Sequence, residues 1–251
     1  MKIAAVCVTW NRPRQLGEML YCFEQQEHPN CELVILDDAN QYGCQSGDRW
    51  RLISTEHRFP SLGAKRNTAI SLVSPDIEAV AVWDDDDLYL PWALSACSAA
   101  LEQADWCRPS IVLHPRGDGV LQQHFTWDRP DQGDKAFHGG WAYTIDAWHD
   151  VGGYDEAANN GEDRLLARAF LDAGVRECDP IAELGFDPYY SFTWTGTVHF
   201  SGQPARQYDR NGSKKVKPAE LRATKPKACN LESPAYDPQI YPRKFRGAWM
   251  P

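Results

Sequence analysis

Four consecutive aspartates, Asp84 to Asp87, follow directly on the apolar run Ala79-Val80-Ala81-Val82-Trp83. A short β-branched run bounded by polar residues reads as a buried strand. A chain with this junction brings a core strand out at the edge of a sheet and gathers carboxylates there. Like charges about 4 Å apart repel by roughly 1 kcal/mol in water, and by about 4 kcal/mol at an effective dielectric near 20. A divalent cation that prefers oxygen removes that penalty, and Mg2+ or Mn2+ typically arrives with a phosphate ligand. The plainer reading is a solvated acidic turn. Its place directly after a core strand weighs against that.

The first half of the chain alternates strand and helix. Ile3–Thr9 reads as a strand. Arg14–Gln25 follows with Leu16, Met19, Leu20 and Phe23 at helical spacing, and Pro13 suits the first turn. Strands are expected at Glu32–Leu36, ending at Asp37-Asp38, then at Trp50–Ser54 and at Ala79–Trp83. Helices are expected at Leu62–Val73 and from Pro91 to Glu102. This order predicts an α/β fold, a mostly parallel sheet with helices on both faces. Ligands of such sheets bind beyond the carboxyl ends of the strands. Asp38 and the Asp84–Asp87 cluster both fall at such ends.

The second half is less regular. Ile111–His114 and Leu121–Trp127 predict a hairpin across Gly117-Asp118-Gly119. Ala142–Ile145 predicts a strand, Ala147–Val151 a short helix, and Arg164–Ala173 a helix closed by Gly174. From about residue 200 the periodicity fades into Gly, Pro, Lys and Asn, as in an extended arm.

The 251 residues, 43% of them hydrophobic, suffice for one α/β domain with an appendage. No apolar stretch approaches the length of a membrane span. The N-terminus, Met1 to Val8, has the apolar character of a leader but runs into Thr9-Trp10-Asn11-Arg12-Pro13 without a small-residue cleavage site, and reads as the first strand. Eight scattered cysteines with no C-x-x-C pair fit a reducing cytoplasm better than a zinc or redox site. Charge is uneven. Residues 206–251 hold eleven Lys and Arg against four Asp and Glu, a net of +7, so the preceding residues carry −16 of the overall −9. A basic arm on an acidic body suggests an anionic partner for the arm: the body itself, a phosphate or a polyanion.

Five segments in order resemble glycosyltransferase family 2, of the GT-A fold. They are Val8-Thr9-Trp10-Asn11-Arg12, then Val34-Ile35-Leu36-Asp37-Asp38, Gly63-Ala64-Lys65-Arg66-Asn67, and Trp83-Asp84-Asp85-Asp86-Asp87-Leu88-Tyr89-Leu90-Pro91. The fifth is Val151-Gly152-Gly153-Tyr154-Asp155-Glu156, followed by Gly161-Glu162-Asp163-Arg164-Leu165-Leu166. The likeness covers residues 1 to about 175. It implies a GT-A domain over 1–205, with a nucleotide-binding half at 1–105, an acceptor-binding half at 106–205, and the basic arm at 206–251.

The resemblance also implies roles. A metal-dependent, inverting transfer from a UDP-sugar to a hydroxyl of a glycan or lipid-linked saccharide is expected. Mn2+ or Mg2+ would be held by Asp86 and Asp84, with His199 as a third ligand or merely a structural histidine. Asp84 would also face the ribose, while Asp85 and Asp87 flank the pair and Asp85 counts among the donor-binding residues. Asp38 would accept from the imide N–H of a uracil or thymine. Thr9, Asn11 and Arg12 would line the nucleotide pocket, and Arg66 would contact base or phosphate, or else form an ordinary surface ion pair. Asp163 would be the general base, with Glu162 the alternate. The same acidic pair is ordinary chemistry for a helix first turn, where the dipole favours negative charge. His138-Gly139-Gly140-Trp141 offers a glycine-rich approach to the donor sugar.

Two other functions stay open at this level. A hydroxymethylated base in DNA would be an alternative acceptor, with Lys214, Lys215, Lys217, Lys225 and Lys227 on phosphates. A non-catalytic nucleotide-sugar or glycan-binding module is the other, and the intact aspartate and E-D motifs argue against it.

Overall fold

The computed structural model describes residues 1–115, 121–125, 137–159 and 161–193. The basic arm with its lysines, His199 and the turn of the expected hairpin lie outside the described residues.

The first half runs β1 (Ile3–Thr9), α1 (Pro13–Glu24), β2 (Cys31–Asp37), β3 (Gln45–Ser46), β4 (Trp50–Ser54), α2 (Leu62–Ser71), β5 (Ala79–Val82), β6 (Leu88–Tyr89) and α3 (Ala93–Leu101). The second runs β7 (Trp106–Cys107), β8 (Ile111–Pro115), β9 (Leu121–Phe125), β10 (Ala142–Thr144), α4 (Ile145–Asp150), α5 (Glu162–Asp172), β11 (Glu177–Cys178) and β12 (Tyr190–Ser191). Eight strands form the main sheet in the order β11-β7-β10-β5-β1-β2-β4-β3. Its centre is parallel, β5-β1-β2-β4, and β10 enters antiparallel between β5 and β7. A second sheet, β6-β12-β8-β9, stands apart from it.

Alternation along β1 divides the core. Ile3, Ala5 and Cys7 point to one face, against Leu16, Met19, Leu20 and Phe23 of α1 and Leu94 and Cys97 of α3. Ala4 and Val6 point to the other, against Ala69 and Ile70 of α2 and Leu166 and Phe170 of α5. Period-two side chains on a strand covered from both sides leave no polar face, which is why β1 and β5 read as continuous apolar runs. Each fully buried Leu, Ile or Phe contributes roughly 1.5–3 kcal/mol. The seven described cysteines are free thiols.

The longer elements fall within a residue or two of their sequence expectation. The strands with no sequence signal, β3, β6, β7, β11 and β12, have two residues each, too few to show a period.

Register places the acidic cluster. Val6 pairs with Val82 in the parallel β1–β5 ladder. Continuing that pairing by three residues brings Asp85 level with Thr9, beyond the carboxyl end of the sheet.

Helix α2 is fastened to the loop that precedes α5. Ser61 caps α2, its Oγ accepting from the Ala64 N–H at 3.0 Å. The Gly63 N–H donates to the Ala158 carbonyl at 3.1 Å. Asn67 exchanges two bonds with the Tyr154 backbone, at 2.8 and 2.9 Å. A Cβ on Gly63 would lie 1.9 Å from the Asp155 carbonyl oxygen, a rigid backbone atom.

Alanine favours a helix over glycine by about 1 kcal/mol, so Gly63→Ala should stabilise the protein if that contact were loose. We expect the opposite: a loss of about 1–3 kcal/mol from overpacking. Thermal denaturation reads this as roughly 2–4 °C of Tm for each kcal/mol. An unchanged or raised Tm would mean that α2 does not rest on the 155–158 backbone.

Candidate active site

The four aspartates alternate in exposure: Asp85 and Asp87 are buried, Asp84 and Asp86 half-buried. The buried pair is fixed inward. Asp85 accepts from the Thr9 hydroxyl at 2.6 Å and from Arg12 Nη1 at 2.7 Å. Asp87 accepts from the Tyr190 hydroxyl and from the Thr193 N–H, the latter at 2.7 Å. The Thr193 hydroxyl also donates to the Asp86 carbonyl. The Asp84 N–H donates to Tyr89 Oη at 2.6 Å, and Tyr89 stacks on Trp83 with ring centroids 3.7 Å apart. The strand end is therefore clamped from β1 on one side and from β12 on the other.

Two arginines supply most of the counter-charge. Arg12, just beyond β1, reaches Asp86 at 2.8 Å as well as Asp85. Asn11 before it has φ of 54°, in the left-handed region, which asparagine tolerates better than most residues. Arg66, on α2, donates to Asp84 at 3.0 Å and to Glu162 at 3.3 Å. It is 8% exposed, so the surface ion pair allowed by its sequence position is not what forms.

The neutralisation is incomplete. Burial pushes the Asp86 carboxyl up to about 7, and the neighbouring Asp85 charge adds to it against Arg12. Burial also raises Asp87, helped by the charges of Asp84 and Asp86. Asp84 goes the other way: burial acts against it, but Arg66, with His138 and Arg12, holds it below its ordinary value.

This excess of negative charge bears on a metal. Among the described residues no three His, Cys, Asp or Glu side chains converge into a protein-only metal cage. Asp84 and Asp86 offer hard oxygen at the open side of the cluster. Mg2+ typically takes one or two carboxylates and completes its shell with water and substrate phosphates. The pair fits such a shared site.

The same sheet end carries the other expected residues. Asp37 organises the loop after β2, accepting from the Ala39 and Gln41 N–H groups and the Ser54 hydroxyl. Asp38 accepts from the Phe59 N–H at 3.2 Å and meets two cations that sequence reasoning had not assigned. Lys65 Nζ lies 2.5 Å from Asp38 Oδ1 and 2.6 Å from the Thr9 carbonyl, and its side chain is 1% exposed. Arg58 Nη1 lies 2.6 Å from the same carboxylate, with its guanidinium 4.7 Å from the Trp10 ring centroid.

Gly161, with φ of 78°, opens α5 and makes no side-chain cap, so Glu162 and Asp163 occupy the first turn. Glu162 is buried and turned to Arg66, and burial raises its carboxyl above the ordinary range. Asp163 is half-buried, and its Oδ1 accepts from the Arg164 N–H at 2.9 Å. His138, in a 3-10 turn at His138–Gly140, bonds through Nε2 to the Tyr154 hydroxyl at 2.8 Å. The structure thus gathers Thr9, Arg12, Arg66, Asp84–Asp87, Glu162 and Asp163 around one strand end, with Asp38 joined to them through Lys65 and Thr9. Among the described residues no helix is long and apolar enough to cross a membrane.

Comparison with known proteins agrees with this architecture. No curated protein matches the sequence. Staphylococcus aureus TarS 1–349 in complex with UDP-GlcNAc superposes with a TM-score of 0.59 at 20% identity, covering 80% of this chain and 61% of that one. The mannosyltransferase PcManGT from Pyrobaculum calidifontis, in complex with GDP-Man and Mn2+, gives 0.50 at 19% identity, covering 71% and 54%. The chain thus spans about three-fifths of the length of TarS 1–349, and at such identities the likeness is one of fold. The model of the family described as Glycosyl transferase family 2 matches residues 5–149, more than half of the chain. By that match the chain belongs to glycosyl transferase family 2.

Proposed function

We propose that the protein transfers a sugar, with inversion, from a UDP-sugar to a hydroxyl of a glycan or lipid-linked saccharide, with a divalent cation at Asp84 and Asp86. The observation that carries this reading is Arg66. One guanidinium joins a carboxylate of the strand end to Glu162, the neighbour of Asp163, so the acidic cluster and the first turn of α5 form a single site. The UDP-GlcNAc complex of TarS and the Mn2+ complex of PcManGT support the choice of donor and metal.

Each residue then has a physical task. Thr9, Asn11 and Arg12 line the nucleotide, and Asp38 reads the base. Arg58 is the more exposed of the two cations on Asp38, and is the side chain that an incoming base displaces. Asp84 and Asp86 hold Mn2+ or Mg2+ together with the diphosphate, and the cation supplies stabilisation of the charge that develops on the leaving group. Asp85 and Arg12 fix the strand end that presents them.

Asp163 takes the acceptor proton. As that O–H bond breaks, the oxygen forms its bond to the anomeric carbon from the face opposite the departing diphosphate, whose oxygen keeps the electron pair of the broken C–O bond. Glu162 is less suited to this work, because it is buried against Arg66.

UDP at about 100 times its Kd should stabilise the protein by about 2.7 kcal/mol, read as a rise in Tm, in Mn2+ or Mg2+ and not in EDTA. Asp86→Ala should abolish that rise. Equal stabilisation by UDP in EDTA would remove the metal from the proposal.

Asp163→Asn should keep UDP binding but lower the transfer rate by roughly 100- to 10,000-fold, the usual worth of a positioned base. The two are separated by measuring melting shifts and product formation on the same preparation. A fully active Asp163→Asn enzyme would rule out Asp163 as the base.

A further inference from the structure

Behind Arg66 lies a chain of three polar side chains for which the transfer chemistry has no use so far. The hydroxyls of Tyr143 and Tyr154 are 2.8 Å apart, and the Tyr154 hydroxyl is 2.8 Å from His138 Nε2. All three residues are buried. The Tyr154 backbone is held from both sides by Asn67, and its ring lies 6.0 Å from the Arg66 guanidinium. The His138 ring is wedged edge-on against Trp141 and Tyr154.

The direction of this chain follows from counting protons. Buried hydroxyl hydrogens are rarely left without an acceptor. If Tyr143 donates to Tyr154 and Tyr154 donates to His138 Nε2, both hydroxyl hydrogens are used. In the opposite sense Nε2–H donates to Tyr154, Tyr154 donates to Tyr143, and the Tyr143 hydrogen has no acceptor among the described residues. The first arrangement is the one that satisfies both hydroxyl hydrogens from protein groups alone. It makes Nε2 an acceptor, so the ring is neutral and carries its proton on Nδ1. Burial, with the charge of Arg66, acts in the same sense and lowers the His138 pKa to about 4.

The other nitrogen, Nδ1, takes no part in this chain of hydrogen bonds. The charges that His138 feels are those of Arg66, Asp84 and Asp163, and Nδ1 makes no hydrogen bond among the described residues. The neighbouring glycines keep the turn close to the strand end. A Cβ at Gly139 would lie 2.7 Å from the hydroxyl of Tyr190, the residue that holds Asp87.

We propose that His138 is a sugar-binding residue, a neutral imidazole whose Nδ1–H donates to a hydroxyl or amide oxygen of the donor sugar, and that Tyr154 and Tyr143 are positioning residues that fix this tautomer. A neutral donor suits this place. An imidazolium would compete with the cation for Asp84 and would pair with the carboxylate of Asp163. The inference rests on the reading of this site as a UDP-sugar site.

Two measurements test it. Histidine-ring 1H–15N spectra, with the His138 signals assigned by their absence in His138→Ala, should show the Nδ1–H tautomer from pH 6 to 8. Tyr154→Phe should convert the ring to the ordinary mixture dominated by Nε2–H. A wild-type ring protonated on Nε2 overturns the proposal without any ligand.

The second measurement is calorimetric titration in Mn2+ with UDP, UDP-glucose, UDP-galactose and UDP-N-acetylglucosamine. UDP should bind wild type, His138→Ala, His138→Asn and Tyr154→Phe with equal affinity. The UDP-sugar that most exceeds UDP in the wild type should lose about three- to tenfold in His138→Ala, the worth of one neutral hydrogen bond. It should lose a similar factor in Tyr154→Phe. His138→Asn, whose amide places an N–H near the Nδ1 position, should recover most of it. Undiminished sugar-nucleotide affinity in His138→Ala overturns the assignment of His138 alone. Failure of UDP and of every UDP-sugar to bind the wild type removes the donor reading, and the sugar contact with it.

Discussion

Arg66 spans the gap between the strand that ends at Val82 and the helix that begins at Glu162, donating to Asp84 just beyond the strand and to Glu162 on the helix. The rest of the site depends on this bridge, because neither side can stand alone. A buried carboxylate such as Glu162 is costly without a paired cation. Four aspartates in a row repel one another unless cations are set among them. Arg66 and Arg12 meet both demands, and they come from places that only the fold brings together: a turn after β1 and the buried face of α2. That face is held in place by Gly63 and Asn67. The electrostatics of the strand end therefore rest on a backbone contact with no charge of its own.

The longer elements of the fold could be read from the chain because their side chains repeat with the period of their backbone. Leu16, Met19, Leu20 and Phe23 mark α1, and the runs Cys31–Asp37 and Ala79–Val82 mark strands buried on both faces. Helix α2 is the instructive exception. Its buried residues are Gly63, Lys65, Arg66, Ala69 and Ile70. A helix that turns a lysine and an arginine inward carries no apolar stripe, so its boundaries were legible but its orientation was not. That is why Lys65 escaped assignment, and why Arg66, one residue on, was open to a contact with base or phosphate or to an ordinary surface ion pair.

The partners of Asp38 were hidden for a related reason. Lys65 and Arg58 are 27 and 20 residues away in sequence, and neither spacing marks a local motif. The alternation of the aspartates was concealed as well. Four identical residues carry no sequence signal for which of them face inward. Pairing with Thr9 on one side and with Tyr190 and Thr193 on the other decides it. The hydroxyl chain from Tyr143 to His138 crosses three separate segments, and only their packing defines it.

The contact between Gly63 and the 155–158 backbone has a consequence for recombining this protein with its relatives. A crossover placed near residue 105 looks natural from the order of motifs. In space it would take β10 from one parent and β5, its ladder partner, from the other. It would also seat one parent's α2 on the other parent's loop, where a single methyl group has no room. Chimeras that inherit α2 and the segment from Tyr154 to Asp163 from the same parent keep this joint intact. The unit of exchange is therefore discontinuous in sequence, and a library designed around it varies the remaining loops without disturbing the acidic strand end.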